Sequence, residues 1–285
     1  MAEIVLIAFN ARFSHPSLGS RCLLANLGTM RERARLVEFD LEKRPEEALE
    51  SILQENPRLV GCGVYVWNTL LVTRFATLLK RVRPSVTLVV GGPEAGAALE
   101  NHPLAQLADY RIVGEGESAF HDLCQAILAG TPPPRGRIDA APPNLEKIQL
   151  PYANYNDQDL AHRHLYVESS RGCPYRCAFC VSALDHPVRR FPRQPFLEAL
   201  QELFERGGRH FKFVDRTFNL GKIHATAILD FFLARIDTPG LFVHFELMPD
   251  RLTTEIKTRL AAFPAGALQL EAGIQSLEPR VLQAI

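Results

Sequence analysis

The strongest constraint on the fold is a regular alternation of short apolar runs with helix-length segments. The runs are EIVLIAF (3–9), ARLVEFD (34–40), RLVGCGVYV (58–66), VTLVVGG (86–92) and YRIVGEG (110–116). They are continuously apolar rather than strictly alternating, as strands buried on both faces must be. Helical patterns fall between and after them, at roughly 18–33, 45–55, 68–82 and 116–129. This order predicts an open, doubly wound α/β sheet of parallel strands. Ligands of such sheets sit outside the carboxyl ends of the strands, near the point where strand order reverses. The segments to examine are therefore NARFSHPSLG (10–19), YVWNT (65–69), GGPEAGA (91–97) and GEGE (114–117).

The pattern fails after Gly130. Residues 131–163 are rich in proline, which pushes the preceding residues into extended geometry and predicts a linker along the surface. A second series follows: LYVESS (165–170), HFKFVD (210–215), LFVHFEL (241–247) and ALQLEAGI (267–274). Helices are expected near 194–206, 221–235, 252–262 and 277–284. Four consecutive βα units suggest part of a parallel barrel, whose working end is again the carboxyl end of its strands. A chain of 285 residues that is 47% hydrophobic can bury two cores, and the expected domains are 1–130 and 164–285.

Lysine plus arginine and aspartate plus glutamate both number 32, so the net charge is zero. No broad attraction to nucleic acid or to an anionic membrane follows. The opening MAEIVLIAFNARF lacks a basic n-region and a cleavage site, and no apolar run reaches the length of a membrane span. The expectation is a cytoplasmic protein, where clustered cysteines hold metal or do redox chemistry rather than form disulfides.

Three of the six cysteines lie in SSRGCPYRCAFCVSA (169–183), directly after the first strand of the second series. Cys173, Cys177 and Cys180 follow C-x3-C-x2-C, and three thiolates on one short loop can each reach a corner of a cubane iron-sulfur cluster, leaving the fourth iron open. Zinc would require a fourth ligand, and only His186 is near. Three buried structural cysteines fit less well, because Arg171, Gly172, Pro174, Tyr175 and Arg176 make a polar turn. Cys22, Cys62 and Cys124 lie in apolar surroundings and are expected to be small buried residues.

The cysteine segment, with Phe179 just before the last thiol, resembles the signature of the radical S-adenosylmethionine (SAM) superfamily. The resemblance implies a [4Fe-4S] cluster whose open iron binds SAM, and one-electron cleavage of SAM to a 5'-deoxyadenosyl radical. It also implies SAM contacts at later strand ends. FKFVDRTFN supplies Asp215 and Asn219, although the frequent Gly-Gly-Glu motif is absent; FELMPDRLT supplies Glu246, and LEAGIQSLEP supplies Glu271, Gln275 and Ser276. Surface ion pairs are the competing reading of Asp215 and Glu246. Barrels of this superfamily have about six βα units, fewer than a closed eight-unit barrel. This sequence stops after what reads as the fourth, so a fragment is expected.

Upstream of such a cluster, the first sheet resembles the Rossmann-like cobalamin-binding domain of B12-dependent radical SAM enzymes. The resemblance points to Asn10, Arg12, Phe13, Ser14 and His15, to Tyr65, Trp67 and Asn68, to Gly91, Gly92, Pro93 and Glu94, and to Gly114 and Glu115. Glycines at 91, 92, 114 and 116 are expected to let the backbone approach a bulky ligand. Phe13, His15 and Gly19 give F-x-H-x-x-x-G where lower-face ligation often uses Asp-x-His-x-x-Gly, so His15 is read as a loop residue rather than a cobalt ligand. The implied activity is methyl transfer to an unactivated carbon, with cobalamin, SAM and the cluster as cofactors and a flavodoxin or ferredoxin as electron donor. A B12 radical SAM cyclase or rearrangement enzyme, and a non-catalytic cobalamin carrier or sensor with a structural iron-sulfur loop, are the alternatives.

Overall fold

The computed structural model describes residues 1–180, 182 and 187–284, and the chain divides into two compact units, Met1–Asn154 and Tyr155–Ile285. In the first unit, strands β1 (Ile4–Asn10), β2 (Ala34–Asp40), β3 (Leu59–Gly63), β4 (Thr87–Gly91), β5 (Tyr110–Val113) and β6 (Gly136–Asp139) form one parallel sheet in the order β2-β1-β3-β4-β5-β6. Strand order reverses at β1, whose neighbours are β2 and β3, so the switch point lies there. Every residue of β1 is buried, which explains its uninterrupted apolar run.

Helices α1 (Leu18–Ala25) and α5 (Glu117–Ala129) cover one face, where Leu24, Phe120 and Cys124 meet Ile4 and Leu6. Helices α2 (Pro45–Leu53) and α3 (Thr69–Val82) cover the other, where Ile52, Val72 and Phe75 meet Val5 and Ile7. The alternating residues of β1 thus feed two separate cores, as expected of a doubly wound sheet. The helix expected over 18–33 breaks instead at Asn26: its amide donates to the Cys22 carbonyl, and Gly28 then takes φ +55° before a 3-10 turn at 28–33.

The proline-rich stretch is not a free linker. Residues 136–139 are the sixth strand, held to β5 by backbone pairing. Asn26 exchanges two hydrogen bonds with Gln149, at 2.9 and 3.0 Å, and Arg31 donates to Asn154. These long-range bonds tie most of the stretch to the first unit, and the division at 154/155 falls within the expected linker 131–163. Local sequence missed them because GRID is too short and polar to show strand periodicity. The short helix α4 (Pro103–Leu107) was also not foreseen.

The second unit opens with α6 (Asp157–His162), whose Asn156 and Asp159 form a capping box. Strands β7 (Leu165–Val167), β10 (His210–Phe213), β11 (Phe242–Leu247) and β12 (Leu268–Ala272) make a parallel sheet in the order β12-β11-β10-β7. Strand order follows chain order, which is the winding of a barrel wall and not of a switched sheet. A two-residue ribbon, β8 (Ser170–Arg171) with β9 (Arg189–Arg190), brackets the cysteine segment. Helices α7 (Arg193–Glu205), α8 (Lys222–Leu233), α9 (Thr254–Ala261) and α10 (Pro279–Ala284) complete the unit.

Register separates the faces of this sheet. Leu165, Val167, Phe211, Phe213, Val243 and Phe245 are wholly buried, and the Phe211, Phe213 and Phe245 rings meet Phe232 of α8 at 5.1–6.5 Å. The opposite face carries Tyr166, Lys212, His244 and Gln269 in one row and Glu246 beside Glu271 in the next. Alternation of an apolar face against the helices with a polar opposite face follows the in-and-out period of barrel strands.

Candidate functional site

In parallel sheets all strand-to-helix loops leave one edge, so the first unit gathers the loops after β1, β3, β4 and β5 at the carboxyl edge around the switch point. A buried ion pair organises the first of them. Arg21 of α1 and Glu38 of β2 meet at 2.7 Å with side chains only 2% and 9% exposed. The other Glu38 oxygen, Oε1, accepts from the Asn10 amide at 2.9 Å and the Ser17 N–H at 2.6 Å. One carboxylate therefore ties both ends of the Asn10–Ser17 loop that carries Arg12, Phe13, Ser14 and His15. Burial acts to raise the Glu38 carboxyl, but Arg21, Ser17 and Asn10 together bring it down to about 2. Neither Glu38 nor Arg21 was foreseen; the available signal was a charged residue inside the apolar run ARLVEFD.

Within that loop the His15 N–H donates to the Arg12 carbonyl at 3.1 Å, and Phe13 is about half exposed (49%). After β3, Tyr65 and Trp67 stack at 4.6 Å and 11°. Trp67, Val66 and Leu70 are exposed, leaving an aromatic and apolar patch at the switch edge. Asn68 is different: it is 1% exposed, accepts from the Tyr65 N–H at 2.8 Å, and donates to the Phe9 and Gly63 carbonyls at 3.1 Å. Its amide cross-links the ends of β1 and β3, which gives Asn68 a structural role within the sheet.

The glycines also have a chain-internal reason. A Cβ on Gly92 (φ +102°) would stand 2.8 Å from the Val64 carbonyl, and one on Gly114 (φ +100°) would stand 3.0 Å from that of Ala140. Glycine is required there because neighbouring strand ends approach. Pro93 and Glu94 follow in a 3-10 turn, where the Glu94 N–H donates to the Val64 carbonyl. Glu115 lies half-buried after β5.

In the second unit Cys173 is buried, while Cys177 and Cys180 are partly exposed. The Cys180 N–H donates to the Cys177 carbonyl at 3.0 Å, and Phe179 between them is 59% exposed. All three thiols are free of disulfides. Among the described residues no three His, Cys, Asp or Glu side chains are grouped as a single-ion site. His186 lies outside the described residues.

Two of the expected SAM contacts are engaged inside the protein. Asp215 is wholly buried and accepts from the Ser169 N–H at 2.9 Å and from the Ser169 and Ser170 hydroxyls at 2.6 Å. Asn219 exchanges two 2.8 Å bonds with the Met248 backbone, which joins the turn after β10 to the end of β11. The surface-ion-pair reading fails for Asp215, since it is wholly buried and, among the described residues, no cation meets its carboxylate.

Glu246 faces the polar side of the sheet, with the Arg216 guanidinium 3.9 Å away. Burial, then the neighbouring Glu271 and Asp215, push its carboxyl up against the pull of Arg216 and Lys212. Glu271 is exposed and lies 3.3 Å from Nε2 of the buried His244. Gln275 holds a left-handed φ of +65°, and the Ser276 hydroxyl accepts from the Glu278 N–H at 3.0 Å. The accessible polar groups at this end are thus Glu246, Glu271, Gln275 and Ser276. His244 and Lys212 on the same face were not foreseen, because only strand register reveals that they share it.

A family model described as the B12 binding domain matches residues 4–124. An uncharacterized methyltransferase of Pyrococcus horikoshii is 28% identical over 238 residues, 74% of this chain and 50% of that protein. TokK of Streptomyces tokunonensis, a cobalamin-dependent radical SAM methyltransferase, is 29% identical over 195 residues, 58% of this chain and 27% of its own length. The chain spans half or less of the length of these curated relatives. Among solved structures, the radical SAM methyltransferase TsrM of Kitasatospora setae, with tryptophan and a SAM analogue bound, superposes with a TM-score of 0.72 at 18% identity, over 99% of this chain and 61% of TsrM. TsrM has also been solved with cobalamin and a [4Fe-4S] cluster bound, and matches there with a TM-score of 0.70. A B12-binding domain is thus matched at the start of the chain, and the chain, whose second sheet is wound one way and carries the three-cysteine loop, shares the fold of TsrM over nearly its whole length.

Proposed function

We propose that the protein is a cobalamin-dependent radical SAM methyltransferase acting on an unactivated carbon of a small molecule, with no part for nucleic acid or membrane. No helix among the described residues is long and apolar enough to cross a membrane, and a cytoplasmic location fits a cluster of free thiols. The observation that carries the reading is the three-cysteine loop directly after the first strand of a barrel-wound sheet, in the same chain as a B12-binding domain.

The residues present fit each cofactor. Three free thiols on one loop, the middle and last partly exposed, are the donor set of a site-differentiated [4Fe-4S] cluster. The exposed Phe13, Val66 and Trp67 at the switch edge suit a broad ligand with a large apolar face, and the Glu38-anchored loop holds neutral hydrogen-bonding groups beside them. Cobalamin supplies methyl relay and the cluster supplies one-electron cleavage of SAM. The chain's own part would be to hold these groups: Cys173, Cys177 and Cys180 would bind iron, the exposed Phe179 would be available to SAM, and Glu246, Glu271, Gln275 and Ser276 would offer oxygens and an amide to its polar groups.

In the balanced reaction two SAM molecules are consumed per methyl transferred. One loses its methyl and leaves S-adenosylhomocysteine. The other is split to methionine and 5'-deoxyadenosine, which carries away the hydrogen removed from the substrate carbon. Two electrons come from a flavodoxin- or ferredoxin-type donor. With a methyl-accepting substrate, S-adenosylhomocysteine and 5'-deoxyadenosine should therefore form in about equal amounts per product, as followed by liquid chromatography with isotope-labelled SAM. 5'-Deoxyadenosine and altered substrate without S-adenosylhomocysteine would point to cyclisation or rearrangement. A reduced, cluster-loaded protein that leaves SAM uncleaved would leave only a carrier or sensor.

A second expectation concerns the aromatic patch. Trp67→Ala in the full chain should weaken hydroxocobalamin binding about tenfold, the worth of one good aromatic contact, as measured by calorimetric titration. An unchanged dissociation constant would move the corrin away from this patch.

A further inference from the structure

We propose that Asp215 is a positioning residue that pins the entrance of the cysteine loop, so that it holds Cys173 in place for the cluster instead of touching SAM; this rests on the cluster reading above. The carboxylate stands at the end of the second barrel strand yet reaches back to the end of the first. Its Oδ2 accepts the Ser169 N–H at 2.9 Å, and its Oδ1 accepts both the Ser169 and Ser170 hydroxyls at 2.6 Å. These donors lie three and four residues before Cys173 in the chain.

The same two residues are gripped from other directions. The Phe191 N–H donates to the Ser169 carbonyl at 3.0 Å, and Ser170 pairs with Arg190 in the ribbon that brackets the cysteine segment. Next in line, Arg171 donates to Glu168 at 2.9 Å and lies 5.4 Å from the centre of the Phe191 ring. Ser169 is 1% exposed, Ser170 and Arg171 below 10%, and Asp215 fully enclosed. A carboxylate so enclosed, with three of its roughly four acceptor sites filled from within the chain, has no surface to offer a ligand unless the segment around it opens. What it can do is fix the backbone from which the loop departs. Groups that orient a ligand-bearing element matter to metal retention almost as much as the ligands do.

The test uses the full chain, anaerobically reconstituted with iron and sulfide. Iron release to a chelator reads the anchoring, and SAM binding, followed through the electron paramagnetic resonance spectrum of the reduced cluster, reads the ligand alternative. Asp215→Ala should release iron at least about tenfold faster than wild type, in the range found for outer-sphere residues of metal sites. Asp215→Asn, which keeps one oxygen acceptor, and Ser170→Ala, which removes one donor, should fall between. Ser170→Ala should bind SAM within about twofold of wild type once its cluster is filled, since it leaves every proposed SAM contact intact.

Wild-type iron retention in Asp215→Asn together with about tenfold weaker SAM binding, the loss of a hydrogen bond to a charged group, would overturn the proposal and return Asp215 to the ligand set. If Asp215→Ala fails to fold by circular dichroism, Ser169→Ala and Ser170→Ala decide: wild-type chelator rates in both would overturn it. A wild-type chain that takes up no iron-sulfur cluster would instead bring down the reading of the loop itself, before any variant is compared.

Discussion

Replacing any one of Cys173, Cys177 and Cys180 by Ala should abolish the [4Fe-4S] cluster and all reductive cleavage of SAM, while Cys22→Ala, Cys62→Ala and Cys124→Ala should leave iron and sulfide content unchanged. Each thiolate of the first group is the only donor for its corner of a cubane, and alanine has nothing to replace it. The second group is buried in the first unit, where burial pushes the Cys62 thiol up to about 12 and the Cys124 thiol higher still. Such thiols stay protonated and are poor ligands. Iron and sulfide analysis of the reconstituted proteins, with 5'-deoxyadenosine measured after dithionite reduction, checks both halves. Zinc filling the wild-type site under iron-replete, anaerobic conditions would overturn the radical chemistry.

Breaking the buried Arg21–Glu38 pair should be the most destabilising polar change in the first unit. Removing either partner leaves a charge in the interior, at a cost of about 3–5 kcal/mol. Glu38→Ala should also loosen the Asn10–Ser17 loop, because both of its ends lose their acceptor. The double change Arg21→Met with Glu38→Gln should cost less than the sum of the singles, since it leaves no unpaired charge; denaturant unfolding of the four proteins tests this.

The pH dependence of the pair has a fixed sign. Glu38 is lowered from 4.5 to about 2 in the fold, so its contribution is fully present above about pH 4.5 and disappears as pH falls toward 2. A shift of that size corresponds to about 3 kcal/mol. Wild type should therefore lose more stability than Glu38→Gln across this window, and parallel curves would show that the carboxylate is not the titrating group.

Much of the fold was written locally. The apolar runs became β1 to β5, and that of β1 is uninterrupted because a strand covered on both faces has no solvent-facing residue to alternate with. The second series became a parallel sheet within three residues of the expected strand ends. The cysteine spacing is equally local, since three donors on one short loop need no distant partner to be recognised. Glycines announced themselves too: a need for close backbone approach at Gly92 and Gly114 was legible, whereas the neighbours that the fold brings there, Val64 and Ala140 just past β3 and β6, were not.

What tertiary structure alone decided is which polar side chains remain free to act. Asn68, Asp215 and Asn219 carry the residue types of a binding site, and sequence cannot tell an amide or carboxylate facing a ligand from one facing another strand's backbone. The answer depends on partners 46 residues away for Asp215 and 29 for Asn219, and only packing brings such partners within hydrogen-bond reach. The same reason hid GRID as a sixth strand and Glu38 as the anchor of the first loop. Residue type and spacing determined the layers, the strand ends and the thiol loop; hydrogen bonds between elements distant in the chain determined which of the remaining polar groups hold the scaffold and which are left to meet a cofactor.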